Sequence, residues 1–208
     1  MVRPLRTVAD WRHFSESHDL DPVLNAAVAA FVTFGYHGTT MREIARRAEL
    51  SVPGLYHHYP SKQTMLVGVL DAAMTEFRWR MLAADEEGDE DPVLRLELLV
   101  TALVLFHCRR QELGIVANNE MRSLEEPNRR RILNARTEMQ RLVDGAVLDG
   151  SARGVFRTRY PVDASRAVVT MSIAVATWFK PDLPLSPEDV ADRYVDYALG
   201  AVEFYDLT

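Results

Sequence analysis

The sequence predicts an all-α fold: a small three-helix head carrying a helix-turn-helix, followed by a larger multi-helix domain. Three observations carry the prediction. Apolar residues recur at helical spacing along nearly the whole chain. No run reads as a strand, since residues 52–56 and 155–156 are short and sit among turn signals. Two short helical segments near the N-terminus are joined by only "ELS" (49–51), which has helix-turn-helix proportions.

The elements follow in order. Val23, Ala27, Ala30, Phe31 and Phe34 share one face of a first helix. "GYHG" (35–38) stops it, with Gly35 as its left-handed cap. Thr40 and Glu43 have the S/T-x-x-E spacing of a capping box and open a second helix, whose buried side is Ile44, Ala45 and Ala48. A third starts at Ser51 and ends ahead of Pro60, because proline disfavours α conformation in the residue before it. Ser61 caps a long fourth helix with Leu66, Val69, Leu70, Ala73 and Phe77 along one face. "ADEEGDED" (84–91) reads as a solvated break. Helices over 92–108, near 112–122 and around 127–149 follow, then the loop "DGSARGVF" (149–156). Two last helices cover 162–179 and 187–205, with Ser186 as N-cap and Pro187 at the first helical position. Both are apolar on more than one face and need cover on every side. A second copy supplies it most simply, in a two-fold four-helix bundle built on Val168, Met171, Val175, Tyr194, Ala198 and Val202.

Composition bounds the function. With 48% apolar residues, the chain is long enough to bury a core. No apolar run reaches the roughly 18 residues a membrane span needs, and the N-terminus lacks an apolar signal segment. The single cysteine, Cys108, permits no intrachain disulfide, so a cytoplasmic location is expected. The net charge of −6 argues against nucleic acid only while it is averaged over the chain. Residues 1–75 hold seven basic and seven acidic residues and five of the six histidines, so the acidic surplus lies C-terminal to them.

In a helix-turn-helix the second helix enters the major groove and its first residues reach base edges. Ser51, Val52, Pro53 and Gly54 form that tip, with Val52 suited to a thymine methyl. Tyr56 and His57 come next as phosphate contacts, and Lys62 places a point charge at a helix start. Leu55 and Tyr59 face inward, while His58 stands between a phosphate contact and an inter-helix hydrogen bond. Adjacent helical residues point about 100° apart, so His57 and His58 do not converge on a metal. No cofactor is expected. Arg3, Arg6 and Arg12 form an N-terminal arm that either enters a minor groove or is a free tail. Cys108 beside His107 is a packed helix residue, and Arg129–Arg131 a solvated helix start. A cavity between the C-terminal helices is expected, with Leu103, Phe106, Met121, Met139, Leu142 and Trp178 as apolar lining. His107, Asn118, Asn119 and Arg122 are its polar groups.

Residues 26–66 resemble the N-terminal domain of the TetR family of bacterial transcriptional regulators. The resemblance rests on the glycine-aromatic stop, Thr39-Thr40, the I-A-x-x-A of 44–48, the L-Y-x-H-[FY] of 55–59 and Ser61-Lys62. It implies a homodimer that binds a double-stranded palindromic operator and is released by a small hydrophobic ligand. It also implies that Arg42 reaches a base and that Thr40, Tyr56, His57, His58 and Lys62 contact DNA. Pro53 stands where many members have glycine. "GSARGVF" and "TWFKPDLPLSPEDVADRYVDYALGAV" are similar to a subgroup controlling fatty-acid or steroid catabolism, some of which bind acyl-CoA thioesters. The expected organisation is an arm (1–20), a DNA-binding domain (21–66) and an effector and dimerisation domain (67–208). Two other classes compete: an α-helical enzyme using the C-terminal cavity, and a helical interaction module that never touches DNA. The enzyme lacks a convincing acid/base pair or nucleophile set.

Overall fold

The computed structural model describes residues 11–15, 20–182 and 184–204. Among them there is no strand, and nine α-helices follow in order. They are α1 (Pro22–Gly38), α2 (Met41–Arg47), α3 (Val52–His58), α4 (Lys62–Glu87), α5 (Pro92–Arg109), α6 (Gln111–Asn119), α7 (Asn128–Ala152), α8 (Pro161–Trp178) and α9 (Pro187–Ala201). A 3-10 turn, Glu120–Ser123, follows α6. None of these helices is long and apolar enough to cross a membrane.

The chain forms two compact units that do not follow the linear division at residue 66. One contains Ser15–Glu76 and Arg110–Arg136, so α6 and its 3-10 turn pack with the head. The other contains, among the described residues, 11–14, Phe77–Arg109 and those from Thr137 to 204.

In the head unit, α1 packs on α2, α6 and the 3-10 turn, and α2 packs on α3. Asp21 caps α1 by accepting from the Val23 and Leu24 amides at 2.8 and 2.9 Å. Gly35 has φ +68°, a conformation that suits glycine, and breaks the helical geometry there. This bend corrects the predicted α1 face. Val23, Ala27, Ala30 and Phe31 are buried, but Phe34 is exposed, with the Arg47 guanidinium 5.5 Å from its ring centroid. Ser61 and Thr64 cap α4 reciprocally: the Thr64 amide donates to Ser61 Oγ at 3.1 Å and the Ser61 amide to Thr64 Oγ1 at 3.2 Å.

The second unit is organised around α5, which contacts both α8 and α9. Leu96, Leu99, Val100 and Val104 of α5 have no exposed surface, and burying each contributes about 1.5–3 kcal/mol. This packing corrects the predicted dimer face. Val168, Val175, Ala198 and Val202 are buried in the chain's own core, because α5 is apolar enough to cover them without a second copy. Met171 and Tyr194 are half-buried. Trp178 and Tyr197 are aromatic side chains left outside, with Tyr194 between them: ring centroids lie 6.3 Å apart for Trp178–Tyr194 and 5.7 Å for Tyr194–Tyr197.

The acidic stretch is a solvated break only in its second half, where Asp89, Glu90 and Asp91 are exposed between α4 and α5. In the first half, helix α4 runs to Glu87, and the carboxylates of Asp85 and Glu87 are used internally. Glu87 accepts from Trp11 Nε1 at 2.6 Å and from both Arg12 amino groups at 2.8 Å, and Asp85 pairs with Arg95 at 2.7 Å. Arg12 holds the Glu87 carboxyl below its ordinary range, with Trp11 assisting and burial opposing. Arg12 is thus engaged within the chain rather than extended as an arm, while Arg3 and Arg6 lie outside the described residues. The 149–156 segment is also more helical than predicted, since α7 continues to Ala152. The turn behind it closes when the Val155 and Phe156 amides donate to the Gly150 carbonyl at 3.0 and 3.1 Å. Ser186 caps α9 in a full capping box with Asp189.

A Cβ on buried Gly150 would lie 2.1 Å from the Phe156 ring. Gly150→Ala is therefore expected to destabilise the fold by about 1–3 kcal/mol, read as a lower midpoint in urea unfolding. An unchanged midpoint would contradict this packing.

Candidate nucleic-acid interface

The helix-turn-helix is assembled by local hydrogen bonds. Thr40 Oγ1 accepts from the Glu43 amide at 3.2 Å, but the predicted box is half made. The Glu43 carboxylate turns instead to Arg46 and Arg47, at 2.7 and 2.8 Å. Hydrogen bonds from Arg46 and then Arg47 hold the Glu43 carboxyl down at about 2. Helix α2 ends in a Schellman arrangement: the Leu50 amide donates to the Ala45 carbonyl at 2.9 Å and the Glu49 amide to Arg46 at 3.4 Å. Glu49 occupies the left-handed position, φ +56°, that glycine usually takes. Ser51 Oγ then accepts from the Gly54 amide at 3.1 Å and starts α3. Leu55 is fully buried beneath α3, with Ile44 and Ala45 buried on α2. Tyr59 is half-buried and donates its hydroxyl to Asp21 Oδ2. Desolvation and that carboxylate push its pKa up to about 12.

These anchors leave the rest of α3 outward. Thr40, Arg42, Ser51, Pro53, Tyr56, His57 and His58 are exposed, and Val52 and Gly54 are half-buried. His58 is a surface residue, its ring 5.7 Å from that of His57 and nearly perpendicular to it. Among the described residues no cluster of three His, Cys, Asp or Glu side chains is placed to hold a metal.

Lys62 differs from its predicted place at the phosphate surface. It is half-buried, and its Nζ donates to the carbonyls of Tyr36 and Thr39, the latter at 2.7 Å, while lying 4.4 Å from the Tyr36 ring centroid. Burial lowers its pKa, and Glu120 opposes the shift. The same α1–α2 turn is gripped from the 3-10 turn. Glu120 Oε1 accepts from the Tyr36 amide at 3.0 Å, and Ser123 Oγ lies 2.8 Å from Glu120 Oε2 and 3.4 Å from His37 Nε2. Gln63 lies 3.0 Å from the Tyr36 hydroxyl; in the amide orientation that satisfies both ends it accepts from the Glu125 amide at 2.7 Å. Sequence spacing carried no signal for Glu120, because its partner is 84 residues away.

The ten predicted effector residues are not gathered in one unit. Leu103, Phe106 and His107 are buried on α5, with Met139 and Leu142 on α7 and Trp178 at the end of α8. The His107 Nδ1 lies 2.7 Å from the Leu103 carbonyl, and its ring is 5.8 Å from Phe77. Asn118, Met121 and Arg122 belong to the head unit, where Arg122 is exposed. An open cleft of about 370 Å³ is lined by Cys108, Arg109, Phe179, Pro181, Pro184, Leu185, Ser186 and Pro187, and none of the ten lines it. Cys108 is buried, and desolvation pushes its thiol up to about 12, away from nucleophilic use.

A capped helix-turn-helix with an exposed second helix, carried on a larger helical domain, defines a DNA-binding transcriptional regulator. The family comparisons agree: residues 23–69 match the model of bacterial regulatory proteins of the tetR family, and residues 89–202 match a tetracyclin repressor-like C-terminal domain. The chain belongs to the TetR family. It is 28% identical over 184 residues to the transcriptional repressor KstR2 of Mycolicibacterium smegmatis, covering 88% of this chain and 89% of that one. A regulatory protein of the tetR family from Rhodococcus RHA1 superposes with TM-score 0.82 at 29% identity, covering 89% of this chain and 97% of the other. AibR, solved with isovaleryl coenzyme A and operator DNA, gives TM-score 0.77 at 27% identity, covering 84% and 95%. The family and these relatives are regulators, not enzymes.

Two outcomes test the geometry. Lys62→Met should cost about 1–3 kcal/mol by leaving the turn carbonyls unpaired and weaken operator binding with no change in salt slope; a shallower slope would return Lys62 to the phosphate surface. The Glu43 carboxyl titrates lower in the folded chain, about 2, than its ordinary 4.5. Its ion pairs therefore stabilise fully above pH 4.5 and are lost as the pH falls through about 2. In Glu43→Gln, acid unfolding should depend less steeply on pH over this window; identical profiles would contradict the pairing.

Proposed function

We propose that the chain is a cytoplasmic repressor that binds a palindromic operator as a homodimer and leaves it on binding a small hydrophobic effector, an acyl-CoA or a similarly large compound. The observation that carries this is α3: Leu55 fixes one side of the helix in the core while Tyr56 and His57 stand outside. In this reading Ser51, Val52, Pro53 and Gly54 approach the bases, and Arg42 reads a base from α2. Thr40, Tyr56, His57 and His58 bind phosphates, and Lys62 positions the turn from within. Two such helices related by a two-fold axis read half-sites one helical turn apart, roughly 34–36 Å.

The aromatic row Trp178–Tyr194–Tyr197 is the surface we assign to the second copy, in place of the buried valines. An acyl-CoA effector is supported by the likeness to AibR, whose complex contains one, and of the predicted contacts we retain Leu103, Phe106, His107, Met139 and Leu142, which share one unit. An effector that prefers a dimer whose heads are wrongly spaced lowers the DNA-competent population.

Fluorescence anisotropy with DNA from upstream of its own gene tests the proposal. Binding is expected to weaken steeply with salt, Tyr56→Phe to weaken it on every sequence, and Arg42→Ala to change base preference. Equal, salt-insensitive binding to operator and random DNA would favour a helical interaction module.

A further inference from the structure

Several arginines drawn away from solvent meet a carboxylate: Arg47 pairs with Glu43, Arg95 with Asp85 and Arg110 with Glu76. Arg136 on α7 is different. It is half-buried, its Nη2 donates to the Ala117 carbonyl and lies 3.5 Å from Asn118 Oδ1, and among the described residues no carboxylate pairs with it. Desolvation lowers its pKa, with no charged neighbour offsetting the shift. A guanidinium offers five N–H donors in a planar fork, and here Nη2 meets two neutral oxygens of one helix end. Burying such a cation without a counter-charge is costly unless something else supplies one.

The acceptor side is equally informative. Ala117 lies in the last turn of α6, where carbonyls lack partners within the helix, so Arg136 caps α6 at its negative end. Directly after α6 comes Glu120, which accepts the Tyr36 amide of the α1–α2 turn. One short stretch, Ala117–Ser123, is therefore held by Arg136 on one side and itself holds the head's turn on the other.

We propose that Arg136 is the receptor for an anionic group of the effector, a carboxylate or a phosphate, and that engaging it withdraws the guanidinium from α6 and loosens the grip of Glu120 on Tyr36. The inference rests on the ligand-release reading above and names the chemistry that triggers release. A carboxylate or phosphate presents two charged oxygens matched to the guanidinium fork, giving paired charge-assisted bonds where Ala117 gives one neutral bond. A neutral hydrophobic compound has no such claim on Arg136. The anion thereby binds the loosened state in preference, which is what shifts the population.

Isothermal titration of the full chain with octanoyl-CoA, octanoate and octanamide tests this, with operator affinity recorded alongside. At least one anion should bind the wild type and lose roughly tenfold or more in affinity in Arg136→Gln, while octanamide is indifferent to the substitution. A response to octanoyl-CoA alone assigns the CoA phosphates, and a response to octanoate assigns a carboxylate. Asn118→Asp is the second variant, which keeps Arg136 and places a carboxylate beside it. It should lose anion binding and keep operator affinity at or above that of the wild type, since the new pair holds Arg136 to α6. Equal anion affinities in wild type and both variants, or no binding of either anion to a wild type that still binds operator, would overturn the proposal. A wild type that fails to bind operator would instead overturn the functional reading beneath it.

Discussion

Between α1 and α2 the backbone turns on Gly35, and the carbonyls of Tyr36 and Thr39 are left facing inward. The Lys62 ammonium takes up both, and this internal charge holds the turn from which α2 begins. Thr39 is itself buried, its hydroxyl donating to the Ala30 and Gly35 carbonyls at 3.1 and 2.7 Å, so the turn is closed from both sides. An unpaired carbonyl at this depth costs as much as a lost hydrogen bond, which is why a flexible cation is retained there rather than spent on a phosphate. Glu120 adds the third grip, on the Tyr36 amide, and it comes from the stretch after α6 rather than from the head's own three helices.

The acidic balance of the chain has the same character. Glu87, Asp85, Glu76 and Glu43 are each committed to an arginine, and these pairs tie loops and helix ends together. Exposed pairs of this kind add little stability individually. Arg110, almost fully buried, also donates to the Ser15 carbonyl at 3.1 Å and so anchors the chain ahead of α1. Arg136 differs from these pairs, since its Nη2 meets neutral oxygens at the end of α6; Arg80 likewise donates to the Trp11 and His13 carbonyls.

What the sequence disclosed was whatever depends on neighbours close in the chain. The limits of α3 follow from Ser51 and Pro60, and the inward Leu55 and Tyr59 from their spacing of four. The N-cap of α9 follows from Ser186-Pro187. The errors arose where distant residues decide. Lys62 looked like a phosphate contact because its carbonyl partners lie 26 and 23 residues back. Val168, Val175, Ala198 and Val202 looked like an interface because periodicity reports that a face is covered, not what covers it, and α5 does the covering. Phe34 has the right spacing for the α1 core and is nonetheless exposed. The roles of Glu120 and Arg136 have no local signature at all.

The central claim is that the stretch after α6 holds the DNA head through the Tyr36 amide, and that Arg136 sets how firmly it does so. Amide hydrogen exchange at Tyr36, compared between wild type and Arg136→Gln, tests it most directly. The amide should be protected in the wild type and exchange roughly tenfold faster in the variant, about 1.4 kcal/mol of lost local protection, while the Leu55 amide inside α3 is unchanged. An unprotected Tyr36 amide in the wild type, or one whose rate ignores Arg136, would contradict the account.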